Sequence, residues 1–391
     1  MIENLYAKYR SEKSYFGYDP AVLKSGIQKY GRRAEIEKGL WCLVEMDSFS
    51  MLEWNGTAQN DYLAKHPGET LINTQRSAQR IRTNMVNRLV VMMSEEVSIS
   101  AWWMPLKIME LRNKWLENRG NLSSQKFLVD MYLTLTSQRM IRLISDLHSV
   151  YLLPPDYVKE KHMNTLMRIH GTIQTRYPEI YSAQAKVGQV NWTVSPSKYP
   201  VAVQRCVQGI IYNLEIGCDH VFFWIKQLRI LEKRDKVPKY RYLNIVWAIL
   251  DRFINQNKDY GYVRNVIYAL HAFYKSMTHK EKPIYLYHAV LLLARRNKID
   301  WDAEPPCIDM PMADVQRLYK NHLVGGKMAM DEYVFDLHAM RGKKRDGCLE
   351  NFAREGAYVE NENIHFLNPV YREIYILLKQ ELDFFHSKGG K

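Results

Sequence analysis

Three basic stretches are the parts of the sequence whose residue types and spacing most directly suggest chemistry, namely contact with phosphate groups. Residues 226–241 contain Lys233, Arg234, Lys236, Lys239 and Arg241, and residues 341–345 contain Arg341, Lys343, Lys344 and Arg345. The third comprises Arg76, Arg80, Arg82 and Arg88, with Arg32 and Arg33 as further candidates. Short basic loops that contain glycine can follow a phosphate backbone closely, so these residues are the candidate nucleic-acid contacts. A solvated loop or a localisation signal is the alternative.

The charge balance of the whole chain favours a polyanionic partner. The 391 residues include 55 Lys and Arg against 42 Asp and Glu, which gives a net charge of +13 and a pI near 9.3. This surplus favours a nucleic acid, expected to be DNA, or an acidic protein, and a solvated basic surface is the alternative. The aromatic residues could stack on bases, but at helical spacing they are more typical of a core. Examples are Trp102, Trp103, Phe222, Phe223 and Trp224.

The sequence offers no phosphate-binding loop for a nucleotide cofactor. Such a loop needs a glycine, four further residues, and then Gly-Lys followed by Ser or Thr. Gly326-Lys327 and Gly342-Lys343 are not followed by Ser or Thr, and positions 321 and 337 hold Asn and Leu instead of Gly. The chain is therefore not expected to be an ATPase, and no cofactor is predicted.

Other chemistry-bearing residues match no compact motif. His322, Asp336, His338 and Cys348 are metal-ligand types, but their spacing fits no compact metal site. In the run Cys218-Asp219-His220, neighbouring side chains would point apart on a helix, so they do not form a nucleophile–base pair. We therefore predict a non-enzymatic protein without a metal site. An enzyme centre around His322, Asp336, His338 and Glu355 is the alternative.

Cysteine usage and hydropathy favour a reducing, intracellular environment. The 5 cysteines form no Cys-x-x-Cys pair, which favours free buried thiols over a disulfide framework or a zinc ribbon. Residues 1–20 lack the apolar segment of a secretory leader, and the apolar run 284–294 is too short to span a bilayer. The expected location is the cytoplasm, the nucleus or the interior of a virion, without membrane association.

Most of the chain shows the 3.6-residue hydrophobic period of helices, so we predict an all-α fold, either an irregular multi-helix bundle or an α-solenoid-like array. Two helical domains are expected, at 1–182 and 201–391, separated by a loop at 183–200. Residues 21–48 are expected to form one long helix or a pair. Further helices are expected at 78–97, 101–117, 124–152, 155–180, 201–232, 240–257, 261–277, 283–297, 312–323 and 368–386.

Two kinds of segment stand out within this helical pattern. Turns are expected in residues 54–75 and 300–312, and an irregular polar region is expected at 325–363. Residues 285–294 are apolar on nearly every face, which predicts the central helix of the second half.

Residues 28–47 (QKYGRRAEIEKGLWCLVEMD) and 81–99 (IRTNMVNRLVVMMSEEVSI) resemble the C-terminal helical region of the MgsA/RarA/Werner-helicase-interacting ATPases, relatives of the clamp loaders. The similar features are a basic helix leading to Trp41, and Arg88-Leu89 followed by an acidic pair. That pair is Glu95-Glu96 where the family has Glu-Asp, and Ser98 stands where the family has Gly. The resemblance covers about 24–115. The combination is also similar to uncharacterised helical proteins of large DNA viruses.

The resemblance implies a role beside DNA, with any ATP-driven step supplied by a partner because the ATPase module is missing. We therefore expect a nucleic-acid-associated accessory of DNA replication, repair or genome packaging, and possible homo-oligomers. The alternative is a helical scaffold or a virion or complex assembly subunit that does not bind nucleic acid directly. Glu95 and Glu96 end a predicted helix and oppose its dipole, which predicts a basic partner such as Arg32 or Arg33.

Overall fold

The computed structural model describes residues 13–14, 16–48, 56–65, 67–68, 70–144, 199–218, 221–256, 261–277 and 282–335. Within these ranges the regular structure is helical, and the only β contact is an isolated antiparallel bridge between Val97 and Met140. The prediction of an all-α fold is therefore confirmed. The helices expected at 155–180 and 368–386 lie outside the described residues.

The first two helices form a tightly packed pair, α1 (Pro20–Arg32) and α2 (Ile36–Asp47). Proline in the first turn suits α1, because that position needs no backbone N–H donor. The bend between the helices places Ala34 in the left-handed region, with φ of 57°. A Cβ atom on Gly39 of α2 would lie 1.6 Å from the hydroxyl oxygen of Tyr132, so only glycine allows this close approach.

The next group comprises α3 (Gly56–Lys65), α4 (Leu71–Glu95), α5 (Met104–Glu117) and α6 (Ser123–Thr136). Helix α4 begins earlier than the sequence pattern predicts, because the Thr70 side chain caps it by accepting a hydrogen bond from the Asn73 amide at 3.3 Å. Pro105 lies in the first turn of α5, as predicted. Helix α4 packs against α1, α2, α5 and α6, so it organises this half of the molecule.

The second group comprises α7 (Val201–Glu215), α8 (Val221–Arg234), α9 (Leu243–Gln256), α10 (Gly261–Ser276), α11 (Lys282–Ala294) and α12 (Met312–Gly325). The stretch 201–232, predicted as one helix, is two helices. Gly217, with φ of 68°, lies in the break between α7 and α8. Residues 300–311 are largely irregular, as their prolines predicted.

Helix α11 is the central helix of the second group, which confirms the prediction from its apolar run. Its residues from Ile284 to Ala294 are all buried, including the polar His288. It packs against α7, α9 and α10, and also against α4 of the first group. Helices from either side of the predicted domain boundary thus share one hydrophobic core. The boundary segment itself lies almost wholly outside the described residues.

After α12 the chain returns to the first helix pair as an extended segment with one 3₁₀ turn, Glu332–Val334. We call residues 326–335 the strap. The Ser25 hydroxyl donates to the Val334 carbonyl at 2.7 Å, and the Lys29 ammonium donates to the Tyr333 carbonyl at 2.7 Å. Val334 is fully buried. The strap is therefore fixed on α1, although its sequence predicted only an irregular polar region.

The described part of the chain contains no helix long and apolar enough to cross a membrane. Its cysteines Cys42, Cys206, Cys218 and Cys307 are free thiols. The first two are buried, as predicted, whereas Cys307 is exposed and Cys218 is intermediate. Trp102, Trp103, Phe222 and Trp224 are buried and Phe223 packs against the core, so the interpretation of these aromatics as core residues is confirmed.

Candidate nucleic-acid interface

The basic residues predicted at the end of α8 lie together around one tight turn. We call residues 233–241 the basic turn. The Lys236 amide donates to the Lys233 carbonyl at 3.1 Å and the Val237 amide donates to the Glu232 carbonyl at 3.3 Å. These two bonds form a Schellman motif, which places Lys236 in the left-handed region with φ of 51°. Glycine usually occupies that position, so the turn carries a lysine at some conformational cost.

The basic residues of the basic turn are exposed to solvent: Lys233, Arg234, Lys236, Lys239 and Arg241. One of them, Arg234, is partly neutralised by an ion pair with Asp235 at 2.8 Å. Lys233 and Arg234 also lie in the last turn of α8, where positive charge stabilises the helix dipole. Helix stability therefore accounts for these two residues, whereas it does not account for the basic residues that follow.

A groove of about 670 Å³ begins beside the basic turn and runs between α9 and α10. We call it the α9–α10 groove. Helix α9 contributes Asn244, Trp247, Ala248 and Asp251, whose spacing of three and four residues puts them on one helix face. The other lining residues are Lys239 and Tyr240 from the turn, and Ile267, Tyr268, His271, Tyr274 and Lys275 from α10.

The two ends of the α9–α10 groove differ in charge. The Tyr274 hydroxyl donates to Asn244 at 2.8 Å, and the Tyr268 hydroxyl donates to Asp251 at 3.0 Å, so the helices run in opposite directions. Lys275 therefore lies at the Asn244 end, where Lys239 also lines the groove, and Asp251 lies at the other. Asp251 lies seven positions after Asn244 in α9, which corresponds to about 10 Å along the helix axis.

Aromatic rings form the middle of the α9–α10 groove. The ring centroids of Trp247 and His271 lie 4.5 Å apart with an interplanar angle of 18°, and Tyr274 meets Trp247 edge-on at 5.2 Å. Burial, aided by nearby Lys275, lowers the pKa of His271 below its ordinary 6.5, against the opposing effect of Asp251. The imidazole is therefore neutral at pH 7. Trp247 is buried, and its Nε1 has no hydrogen-bond partner among the described residues.

Arg82 has a structural role, which corrects its prediction as a nucleic-acid contact. It is fully buried, and its Nε donates to Asp47 Oδ1 at 2.9 Å. Its other nitrogens donate to the Arg119 carbonyl at 3.0 Å and to the Ser124 hydroxyl at 2.9 Å. Asp47 also accepts from the Tyr319 hydroxyl at 2.8 Å. A guanidinium held this way cannot reach a phosphate without unfolding its surroundings.

Arg32 is likewise buried, and it supplies the basic partner predicted for the acidic end of α4. Its Nε lies 3.5 Å from Glu96 Oε2, and the Arg142 guanidinium lies 3.4 Å from the other carboxylate oxygen. Burial lowers the pKa of Arg32 to about 10, against the opposing effect of Glu96. Arg88 lies 3.8 Å from Glu95. Arg32 is thus a core ion-pair residue and is removed from the candidate nucleic-acid contacts.

The remaining predicted contacts are divided between other surfaces. Arg76 and Arg80 are exposed one helical turn apart on α4. Arg33 is partly buried, and its guanidinium lies 3.8 Å from the centroid of the Tyr333 ring of the strap. The basic residues Arg341, Lys343, Lys344 and Arg345 lie outside the described residues.

His322, considered for a metal or catalytic site, is buried at the interface of α12 with α2. Its Nε2 lies 2.8 Å from Glu45 Oε2, and its ring lies 4.7 Å from that of Trp41. Glu45 also accepts a hydrogen bond from the Phe16 amide at 2.7 Å. No metal-binding group of His, Cys, Asp and Glu occurs among the residues described. The other members of the predicted cluster, including Asp336 and His338, lie outside them.

Sequence reasoning missed the groove residues Trp247, Asp251, Tyr268, His271 and Lys275. A signal was present, because α9 carries Asn244, Trp247, Ala248 and Asp251 on one face beside a strongly apolar one. That face alone does not distinguish a groove from a solvated surface. The packing of α10 against it makes the difference.

Comparisons with protein-family models, with curated proteins and with solved structures find no match to this chain. The resemblance of residues 24–115 to the helical region of the clamp-loader-related ATPases therefore stays a prediction. The local geometry of the basic turn and the α9–α10 groove carries the functional argument.

Proposed function

We propose that this chain is a non-enzymatic, nucleic-acid-associated helical protein, with an accessory role in DNA replication, repair or genome packaging. The observation that carries the proposal is the adjacency of the exposed basic turn to the aromatic α9–α10 groove. Cations that bind phosphates and aromatic rings that contact bases are the two components of single-stranded nucleic-acid sites. The net charge of +13 supports the same interpretation, because it attracts polyanions from a distance.

The competing interpretation is that the basic turn is only a solvated helix end. Lys233 and Arg234 fit that interpretation, since both lie at the C-terminus of α8. Lys236, Lys239 and Arg241 lie beyond the helix and do not stabilise its last turn in the same way. These three residues are therefore the ones whose substitution separates the two interpretations.

The test is a binding titration with fluorescently labelled single-stranded DNA, duplex DNA and RNA of one sequence, repeated over a range of salt concentrations. The logarithm of the binding constant is expected to fall linearly with the logarithm of salt concentration. The triple substitution Lys236→Glu, Lys239→Glu and Arg241→Glu is expected to weaken binding of every sequence. It should also reduce the salt slope by about 1 for each phosphate that the protein no longer neutralises.

The matched control reverses the same number of exposed charges away from the basic turn, at Arg205, Lys298 and Lys320. It changes the net charge equally, so any effect of overall charge appears in both variants. The proposal predicts a much larger loss of affinity in the basic-turn variant. Equal losses of affinity in both variants, or no binding of any probe at low salt, would overturn it.

A further inference from the structure

The order of charged and aromatic groups along the α9–α10 groove matches the order of phosphate and base in a nucleotide. One end carries the ammonium groups of Lys239 and Lys275, the middle carries the rings of Trp247 and His271, and the far end carries the Asp251 carboxylate. The distance of about 10 Å along α9 between the two ends is comparable with that from a nucleotide phosphate to the far edge of its base. The volume of about 670 Å³ lies within the ordinary range for small-ligand sites.

Resting on the proposed function, we infer that this groove holds one unpaired nucleobase bearing an exocyclic amino group, with its phosphate at the lysine end. The amino group donates to Asp251, which accepts from Tyr268 through one oxygen and keeps further acceptor positions. Asp251 also repels a phosphate, so it fixes which way round the nucleotide lies. Adenine, cytosine and guanine are therefore favoured over thymine and uracil, which have no amino group.

Tyr268 supplies the ring for stacking. The residue remains 43% exposed although its hydroxyl donates a hydrogen bond to Asp251, so its ring is oriented without being covered. The neutral imidazole of His271 and the indole of Trp247 form the floor beneath. A base inside a duplex cannot reach this position while it is stacked and paired. The groove therefore selects single strands or free nucleotides.

The first experiment compares the binding of dA and dT oligonucleotides, of the matched duplex, and of AMP and UMP as free nucleotides. The dA strand and AMP are expected to bind on the order of 10-fold more tightly than the dT strand and UMP, which corresponds to one specific base contact. Strand binding with weak AMP binding identifies a strand as the source of the base. AMP binding that strands do not compete away identifies a free nucleotide.

Substitutions within the groove test the assigned roles. Tyr268→Ala is expected to weaken binding of the dA strand on the order of 10-fold, the usual effect of losing one stacked base. Tyr268→Phe keeps the ring and is expected to retain affinity. Asp251→Asn is expected to remove the preference for dA over dT while leaving most of the affinity for dT. The matched control is Tyr262→Ala, because Tyr262 is also on α10, is 73% exposed and does not line the groove.

Circular dichroism and thermal unfolding of each variant show whether the fold is retained, as expected for these exposed positions. The inference is overturned if dA and dT bind equally, or if Tyr268→Ala binds like Tyr262→Ala. Duplex binding as tight as that of the single strand also overturns it. In each of those cases the proposed function stands if binding still falls with salt and with the basic-turn substitutions. If binding depends neither on salt nor on the basic-turn substitutions, the proposed function is overturned as well.

Discussion

Replacement of Arg82 by methionine tests most directly the conclusion that this arginine holds the fold together. The substitution removes the ion pair to Asp47 at 2.9 Å and the hydrogen bonds to the Arg119 carbonyl and the Ser124 hydroxyl. Both charged side chains are fully buried, so the Asp47 carboxylate would lose its buried cationic partner while it keeps the hydrogen bond from Tyr319. Removing one partner of a buried ion pair typically costs about 3–5 kcal/mol, which is the destabilisation expected for Arg82→Met.

The assay is urea-induced unfolding followed by circular dichroism, with Arg88→Met as the matched control. Arg88 lies on the same helix, but its side chain is 30% exposed and lies 3.8 Å from Glu95. Its replacement should cost less than about 1 kcal/mol, as is usual for solvent-screened pairs. Adding Asp47→Asn to Arg82→Met is expected to recover part of the lost stability, because it neutralises the buried carboxylate that has lost its cationic partner.

Two results would refute this reasoning about Arg82. The first is a loss of stability in Arg82→Met no larger than that in Arg88→Met. The second is an Arg82→Met protein with normal stability but reduced affinity for nucleic acid. If Arg82 has only a structural role, stability should fall and affinity should be unchanged. An Arg82→Met protein that is still folded at low temperature should bind DNA as the wild type does.

The remaining predictions concern packing, thiol reactivity and pH. Gly209→Ala should destabilise the fold by about 1–3 kcal/mol in urea unfolding, because a Cβ there would lie 2.3 Å from an adjacent indole. Iodoacetamide should label exposed Cys307 in the native protein, whereas burial raises the pKa of Cys206 to about 12 and protects it until unfolding. The hydrogen bond from Lys38 lowers the pKa of Asp331 below 3.8. Its stabilisation of the strap is therefore present above that pH and lost below it, as faster hydrogen exchange of the strap should show.

Each of these has a clear contrary outcome. Unchanged stability of Gly209→Ala would mean that α7 and α8 do not approach as described. Equal labelling of Cys206 and Cys307 in the folded protein, read by peptide mass spectrometry, would contradict the burial of Cys206. Asp331→Asn should abolish the pH response of the strap below about 3.8, and a retained response in that range would assign it to another group.

The local pattern of the sequence was sufficient to predict most helices. Helix α11 followed from an apolar run that leaves no face for solvent, and α5 from a hydrophobic period that begins beside Pro105. Both patterns can be read from neighbouring residues, because an apolar stripe at helical spacing, or an apolar segment on all faces, predicts a helix without knowledge of the rest of the fold. The start of α4 was predicted too late, because the cap at Thr70 lies in a segment rich in turn residues.

Residue roles were harder to predict than elements, as the arginines illustrate. Arg76 and Arg82 belong to the same helix and to the same basic stretch, yet the first is exposed and the second is fully buried. The buried position depends on Asp47 of α2 and on the α5–α6 connection, which are distant in sequence. Composition therefore predicted the charge of this helix but not its partners.

The sequence by itself determined that the chain is helical and basic, which helix would be central, and that the basic turn follows α8. Only the tertiary structure decided which of the candidate arginines pairs with Glu96, that Arg82 is buried in the core, that the strap returns to α1, and that α9 and α10 enclose a groove. The physical reason is that the hydrophobic period of a segment indicates which face of its helix is buried. A site depends in addition on which residues of other helices contact that face. Trp247 and His271 lie far apart in the chain, and their stacking exists only once the two helices have packed.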